Sequence, residues 1–166
     1  VDLVQYQPAT SSHRDELRRR YGVSAPTIVY VGRMDEKKGV HHLLQALAFL
    51  PTFPLTLIIA YPRTSDTYSR AYLRHLRQLA REVRSPHHTI TFWRNPTPLE
   101  LRALYQLATA VILPSQQEMM PLVMLEALAS GTPFLVPAVG GVLEVLAPLQ
   151  TLCILESVQP AYLARR

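Results

Sequence analysis

Short apolar runs alternate with longer amphipathic segments along most of the chain. The short runs are rich in β-branched residues and predict strands, and the segments between them predict helices. Because the strands are apolar throughout, we expect a parallel sheet of about six strands with helices covering both faces. The predicted strands are 27–32, 55–60, 88–93, 110–114, 133–137 and 151–155.

Local signals mark the ends of several predicted helices. The predicted helices are 37–50, 66–84, 98–108, 121–130 and a short one at 142–146. Thr97 is a typical N-cap residue, and Pro98 suits the first helical position, where its missing N–H is no loss. Gly131 ends the helix 121–130, and Pro51 stops the helix 37–50.

In a parallel sheet of this kind, ligands bind at the carboxyl ends of the strands, in the loops that lead into helices. After the first predicted strand, Gly32 and Gly39 enclose Arg33, Lys37 and Lys38. A helix N-terminus favours anions, so cations placed beside one indicate a negatively charged ligand such as a diphosphate. A solvated basic loop paired with neighbouring acidic residues explains the stretch equally well.

A carboxylate inside an apolar run marks the segment after the fourth predicted strand. Glu118 precedes the run LVMLEALA, and Glu126 lies within it, about one and a half turns into the predicted helix. Carboxylates are rarely buried without partners, and a hydroxyl-rich ligand such as a ribose would supply donors. The alternative is a glutamate on the exposed edge of a half-buried helix.

Composition supports a globular α/β domain with its own core. The chain has 166 residues, of which 48% are hydrophobic and 17% charged, and its formal net charge is +5. The single cysteine, Cys153, excludes an intrachain disulfide and a thiolate metal cluster, and indicates a reducing compartment. We expect no transmembrane helix and no signal peptide, and hence a cytoplasmic location.

The segment 66–84 places five arginines on one side of a helix, at positions 70, 74, 77, 81 and 84. Tyr72, Leu76, Leu79 and Val83 fall on the opposite side and should face the sheet. A soluble outer face is the simplest interpretation. Peripheral contact with anionic lipid is an alternative, while nucleic-acid binding lacks interleaved aromatic residues. The six histidines show no metal-binding spacing.

Several segments, in their order along the chain, resemble the glycosyltransferase group 1 family (family 4), whose members have the two-domain GT-B fold. VGRMDEKKGVHHLLQAL resembles the family's glycine–arginine and lysine–glycine motif, and PSQQEMMPLVMLEALASGTP resembles its Glu-x7-Glu motif. VDLVQYQP resembles the segment that enters the second domain, and PAVGGVLEVL resembles the loop and helix that follow. The resemblance covers nearly the whole chain and implies a Rossmann-like three-layer sandwich.

The resemblance implies that residues 1–166 form the single C-terminal, nucleotide-sugar-binding domain of a glycosyltransferase whose N-terminal acceptor domain is absent. Such an enzyme transfers a sugar from a UDP-, GDP- or ADP-sugar to a hydroxyl acceptor, with retention of configuration and without a metal. The context would be glycan, polysaccharide or glycolipid synthesis. The implied partners are the donor and the N-terminal domain, and peripheral membrane contact is an option. Nucleic acid is not an expected partner. This fragment is expected to be inactive alone.

The resemblance also implies roles for individual residues. Arg33 and Lys38 would hold the donor diphosphate and stabilise the leaving group, and Glu118 would bind the transferred sugar. Glu126 would bind ribose hydroxyls. The backbone N–H groups of Leu122 and Val123 would meet the distal phosphate, and the loop after Trp93 would lie near the nucleobase. The implied donor-binding residues are Gly32, Arg33, Lys38, Trp93, Arg94, Glu118, Met120, Pro121, Leu122, Val123 and Glu126.

Three departures from the family pattern keep other interpretations open. Met120-Pro121 replaces the common Phe-Gly, AYPRTSD replaces a glycine-containing loop, and the tail ESVQPAYLARR does not resemble the expected continuation. A degenerate, non-catalytic module used for partner interaction is the main alternative. A nucleotide-sugar epimerase or a phosphorylase with the same two-domain fold is a further one.

Overall fold

The structure, a computed structural model, describes residues 1–119, 122–146 and 154–165. Strands and helices alternate from residue 27 onward, as the apolar pattern predicts. The helices are α1 Ser11–Arg20, α2 Val40–Leu47, α3 Thr67–Glu82, α4 Pro98–Leu107, α5 Leu122–Ala129, α6 Val142–Leu146 and α7 Pro160–Leu163. The strands are β1 Thr27–Val31, β2 Leu55–Tyr61, β3 His88–Arg94, β4 Ala110–Ile112, β5 Phe134–Pro137 and β6 Ile154–Leu155.

The six strands form one parallel sheet in the order β3-β2-β1-β4-β5-β6. The chain first builds outward from β1 to β2 and β3, and then crosses back to place β4 on the other side of β1. The loops after β1 and β4 therefore leave in opposite directions. This reversal opens a crevice at the carboxyl ends of β1 and β4, which is where sheets of this type bind ligands.

Helices cover both faces of the sheet, so the predicted three-layer α/β sandwich is confirmed. α2 packs against α3 and α7, while α1 packs against α4. Every residue of β2 is buried, which explains why its sequence is apolar without alternation. β3 lies at the sheet edge and is only half buried. No helix in the described ranges is long and apolar enough to span a lipid bilayer.

Side-chain caps mark the starts of three helices, and Thr10 caps α1 by accepting the His13 N–H at 3.3 Å. The Thr97 hydroxyl accepts the Glu100 N–H, and the Glu100 carboxylate accepts the Thr97 N–H, which is the reciprocal capping box. The predicted N-cap at Thr97 is therefore confirmed. Asp66 caps α3 through a single side-chain bond, by accepting the Ser69 N–H at 2.7 Å.

One sequence-based prediction about elements needs correction, two helices were missed, and one predicted strand lies mostly outside the described residues. The helix predicted over 37–50 is a 3-10 turn, Glu36–Lys38, followed by α2, because Gly39 between them has φ 68°. Two helices, α1 and α7, were not predicted. In α1 only Leu17 is buried, so its sequence has almost no apolar periodicity. Most of the strand predicted over 151–155 lies outside the described residues; within them it is Ile154–Leu155.

Candidate functional site

The turn after β1 is fixed by hydrogen bonds to the protein core. The hydroxyl of the fully buried Tyr30 donates to the Arg33 carbonyl at 3.0 Å. The Asp35 carboxylate accepts the Lys37 N–H at 3.0 Å and caps the 3-10 turn. These bonds hold the basic segment in one conformation, with the exposed Arg33 and the half-buried Lys38 at the mouth of the crevice.

The loops after β1 and β4 are in direct contact. The Gln116 N–H donates to the Lys37 carbonyl at 2.8 Å. Gly39 has a left-handed backbone, and a Cβ at this position would collide with the Pro114 carbonyl oxygen. Only glycine permits both the conformation and the close approach, so Gly39 determines how near the basic turn lies to the segment that carries Glu118.

Lys38 and Glu118 form an ion pair across the crevice. Lys38 Nζ lies 2.9 Å from Glu118 Oε2, and the two side chains are only 18% and 10% exposed. A cavity of about 540 Å³ opens beside the pair, and Arg33, Met119 and Gly140 contribute to its lining. The structure thus brings together the three predicted residues Arg33, Lys38 and Glu118.

A second cavity, of about 240 Å³, adjoins the first and reaches the start of α5. Gly32, Leu122 and Val123 line it together with Arg33, Lys38 and Glu118. We refer to the two adjoining cavities as the β1–β4 cavities. The first turn of α5 therefore faces the same space as the basic turn after β1, and its free N–H groups favour an anion there.

Sequence reasoning missed Ser115, which lines the smaller cavity. Its side chain is 1% exposed, and within the described residues its hydroxyl has no hydrogen-bond partner. A buried hydroxyl without a partner is costly, so a ligand that bonds to it would be stabilised. The only sequence signal is its place directly after β4, at the carboxyl edge of the sheet.

A third loop, after β5, closes over the Glu118 segment. The Gly141 N–H donates to the Met119 carbonyl at 3.1 Å. Gly140 has φ 56°, and a Cβ added to it would collide with the Glu118 carbonyl oxygen. The backbone of Glu118 is thus held from one side by Gly140, while its side chain is held from the other by Lys38.

Glu126 lies one to two turns into α5 and has partners within the protein. The Tyr105 hydroxyl donates to Glu126 Oε2 at 2.6 Å, and the Tyr6 ring lies 6.0 Å from the Tyr105 ring. Burial, and then the Glu126 carboxylate, raise the pKa of both tyrosines, so both hydroxyls stay protonated. Glu126 is not among the residues that line the β1–β4 cavities.

The remaining predicted site residues lie elsewhere or outside the described ranges. The Trp93 ring packs 5.3 Å from the Tyr21 ring, and Arg94 lines a separate cleft beside α3. Neither lines the β1–β4 cavities. Met120 and Pro121 fall outside the residues that the structure describes.

Two neighbouring histidine side chains lie side by side on α2. His41 Nδ1 lies 2.8 Å from the Tyr72 hydroxyl, and the His41 and His42 rings are 4.0 Å apart. Burial lowers the pKa of both histidines. Among the described residues no three His, Cys, Asp or Glu side chains are arranged to hold a metal ion.

The family follows from a comparison with known sequences. Residues 13–166 match the model of the family described as glycosyl transferases group 1. The chain belongs to this family. D-inositol 3-phosphate glycosyltransferase of Corynebacterium urealyticum is 34% identical over 153 residues, which cover 89% of this chain and 35% of the relative. The chain thus spans about a third of the length of the curated relatives it matches.

Solved structures share the fold of this glycosyl transferases group 1 chain. Sucrose-phosphate synthase from Thermosynechococcus elongatus superposes with a TM-score of 0.81 at 27% identity, over 99% of this chain and 40% of that protein. The Anabaena protein HepE, solved in complex with UDP-glucose, superposes with a TM-score of 0.84 at 21% identity, over 99% of this chain and 44% of that protein. The latter similarity supports the fold alone.

Proposed function

We propose that the chain is the C-terminal, nucleotide-sugar-binding domain of a retaining glycosyltransferase with two domains. One observation carries the proposal: Arg33, Lys38 and Glu118 converge on cavities between the carboxyl ends of β1 and β4, beside the start of α5. Two cations and a helix N-terminus around one space favour a diphosphate. A carboxylate next to them suits the hydroxyl groups of a sugar.

The proposed transfer depends on electrostatic stabilisation of the leaving group. As the bond from the sugar to the diphosphate breaks, negative charge grows on the nucleotide diphosphate. Arg33 and Lys38 are placed to stabilise that charge, in a crevice partly shielded from water. Lys38 is paired with Glu118 in the free protein. On donor binding Lys38 exchanges this contact for a phosphate oxygen, which releases Glu118 to accept hydrogen bonds from the sugar.

The remaining contacts would place the rest of the donor. The backbone N–H groups of Leu122 and Val123 would donate to the distal phosphate, and Glu126 would accept bonds from the ribose hydroxyls. Tyr105 holds Glu126 Oε2, which fixes the direction of the carboxylate before any ligand arrives. In this proposal Glu126 is a ligand group kept in place by a buried tyrosine.

The comparisons support this proposal at the level of chemistry. Glycosyltransferases occur among the relatives, and UDP-glucose is bound to HepE, a protein of the same fold. We propose a nucleotide-diphosphate sugar as the donor and retention of configuration in the product, without a metal ion. Because the chain spans about a third of its relatives, the acceptor would bind to a further domain, and this chain alone would transfer nothing.

Calorimetric titration of the chain with UDP-, GDP- and ADP-sugars tests the proposal. At least one should bind, and ethylenediaminetetraacetate should leave its affinity unchanged. Lys38→Gln should weaken binding about tenfold or more, because it removes a charge-assisted hydrogen bond to phosphate. Glu126→Ala should weaken it as well. The control is Arg19→Gln, which removes an exposed charge from α1 and should change little.

Two outcomes of the titration contradict the proposal. If the folded chain binds none of the three donor types, it is not a donor-binding domain. If a donor binds but Lys38→Gln and Glu126→Ala both leave its affinity unchanged, the site lies elsewhere. Sugar transfer by the 166-residue chain itself to a hydroxyl acceptor would contradict the assignment of the acceptor site to another domain.

A further inference from the structure

A further cleft, separate from the β1–β4 cavities and lined by more positively charged side chains than they are, lies between α3 and the carboxyl ends of β2 and β3. Its volume is about 620 Å³. We call it the arginine cleft after five of its lining residues, Arg63, Arg70, Arg74, Arg77 and Arg94. They come from three different elements, namely the loop after β2, the helix α3 and the end of β3, so the fold itself brings the guanidinium groups together.

These arginines have no carboxylate partners within the described residues. No aspartate or glutamate lines the arginine cleft, and none of its arginines forms an ion pair there. Asp66, four residues before Arg70, caps α3 by accepting the Ser69 N–H, and this bond, with a smaller contribution from the charge of Arg70, lowers the pKa of its carboxyl. Five like charges around one concave space repel one another, so an anion that enters the cleft gains attraction from all of them.

Arg77 is held in place by two contacts and lies between the arginine cleft and a neighbouring cavity. Its Nη2 donates to the Tyr61 hydroxyl at 3.2 Å, and its guanidinium carbon lies 5.8 Å from the centre of the Phe92 ring. Tyr61 is 1% exposed and is therefore a rigid support. A guanidinium held by a hydrogen bond and by stacking loses less freedom on binding, and it presents a planar pair of donors that suits phosphate.

The arginine cleft shares no lining residue with the β1–β4 cavities. We propose that it is a second, separate anion site, which binds a compact soluble ligand carrying two or more phosphate groups. Five guanidinium groups and about 620 Å³ exceed what one phosphate needs. Of the residues that line the arginine cleft, only Arg94 belongs to the donor-binding set that the family resemblance implies, and Arg94 does not line the β1–β4 cavities, so the proposal does not depend on the nature of the donor.

The shape of the arginine cleft favours a small ligand over a macromolecule. A lipid surface is flat and would contact the outer side of α3, whereas these arginines line a concavity. Single-stranded nucleic acid binds through exposed rings on which its bases stack. Tyr61 is buried, and Phe92 is half buried and covered by Arg77. A small oligophosphate fits within the concavity that these arginines line.

Titration of the full chain with inorganic pyrophosphate and with tripolyphosphate, followed by NMR, tests this proposal. The backbone amide signals of Tyr61, Thr67 and Arg94 should shift and saturate, also when the β1–β4 cavities are filled with nucleotide. Arg70→Gln/Arg74→Gln should weaken this binding about tenfold or more. Arg81→Gln/Arg84→Gln is the matched control, since it removes two exposed arginines from the same part of the chain but outside the arginine cleft.

The two double variants separate a discrete site from a basic surface. The control pair should lower pyrophosphate affinity by less than about threefold, through long-range charge alone. Equal losses in the two pairs would overturn the proposal, as would the absence of any shift at Tyr61, Thr67 and Arg94. Binding of phosphatidylserine vesicles or of single-stranded RNA without binding of either oligophosphate would also overturn it, because it would identify a macromolecular surface instead.

Discussion

Glu126 shows how a carboxylate is accommodated within an apolar helix. Its run, LVMLEALA, packs against the sheet, and burying a carboxylate there is costly unless hydrogen bonds compensate. The Tyr105 hydroxyl supplies such a bond at 2.6 Å. Tyr105 is itself held at its backbone, where its carbonyl accepts the Thr132 hydroxyl at 2.7 Å. A single buried tyrosine thus links α4, α5 and the turn before β5.

Removing the Tyr105 hydroxyl should therefore destabilise the protein. Tyr105→Phe leaves a half-buried carboxylate oxygen without its donor, and we expect the free energy of unfolding to fall by about 1–3 kcal/mol. Urea denaturation measures this. Tyr21→Phe is the control, because the described residues provide no hydrogen bond to the Tyr21 hydroxyl, and it should cost less than about 0.5 kcal/mol. Equal costs in the two variants would show that the Tyr105–Glu126 bond contributes nothing.

At the scale of elements, three loops define the site. The loops after β1 and β4 meet at Gly39 and Pro114, and the loop after β5 meets Glu118 at Gly140. At each contact a glycine without a side chain allows the backbone of the neighbouring loop to approach closely. The position of Glu118 therefore depends on loop packing as much as on its ion pair with Lys38.

Gly140→Ala should lower both the stability of the protein and its affinity for the donor. The added Cβ collides with the Glu118 carbonyl, and the left-handed backbone adds strain of about 1–2 kcal/mol. Gly22→Ala is a matched control, because Gly22 has φ 65° but its Cβ would meet no atom within 4 Å. Both variants should lower the free energy of unfolding in urea denaturation. Only Gly140→Ala should also weaken nucleotide-sugar binding, by about tenfold or more. Equal affinities in the two variants would show that the contact between Gly140 and Glu118 does not affect binding.

The sequence predicted those elements whose own residues determine them. The β2 strand is apolar throughout because it is buried on both faces, and the α4 start is encoded by Thr97, Pro98 and Glu100. Helix α1 escaped prediction because it is held by contacts that sequence does not reveal. The Arg18 guanidinium, for example, donates to the carbonyls of Ala25, at 2.7 Å, and Leu107, at 3.3 Å.

Those site residues that directly follow strands were predictable from the sequence, whereas contacts between distant segments were not. Arg33, Lys38 and Glu118 each follow a strand, so the parallel topology alone places them at one edge of the sheet. The partner of Glu126 was not predictable, because Tyr105 lies 21 residues away and meets it only after two helices pack. The arginine cleft combines three arginines of the predicted row, Arg70, Arg74 and Arg77, with Arg63 and Arg94, which sequence spacing does not connect to them.

At the scale of the whole molecule, two histidines couple stability to pH. Burial lowers the pKa of His41 and His42 from the ordinary value of 6.5. Both ring nitrogens of His42 are buried and have no hydrogen-bond partner among the described residues. As the pH falls below 6.5, the unfolded chain takes up protons before the folded chain does. The free energy of unfolding should therefore decrease from pH 6.5 downward, until the folded-state pKa values are passed.

Urea denaturation at pH 7, 6 and 5 measures this dependence. His42→Leu should raise the free energy of unfolding at every pH, because it replaces two unpartnered polar atoms with an apolar group, and it should flatten the decrease below pH 6.5. His87→Leu, at an exposed histidine, is the control and should leave the slope as it is in the original chain. An unchanged slope in His42→Leu would exclude this histidine as a source of the pH dependence.

The sheet order also determines when the crevice can form. β1 and β2 are joined by one helical connection, as are β2 and β3, so these pairs involve nearby parts of the chain. β1 and β4 meet through Thr27 and Thr109, which are 82 residues apart. Because closing a longer loop costs more entropy and slows folding, we expect this junction to assemble late. The nascent chain would then complete the β1–β3 half of the sheet, and the arginine cleft with it, well before the crevice between β1 and β4 exists.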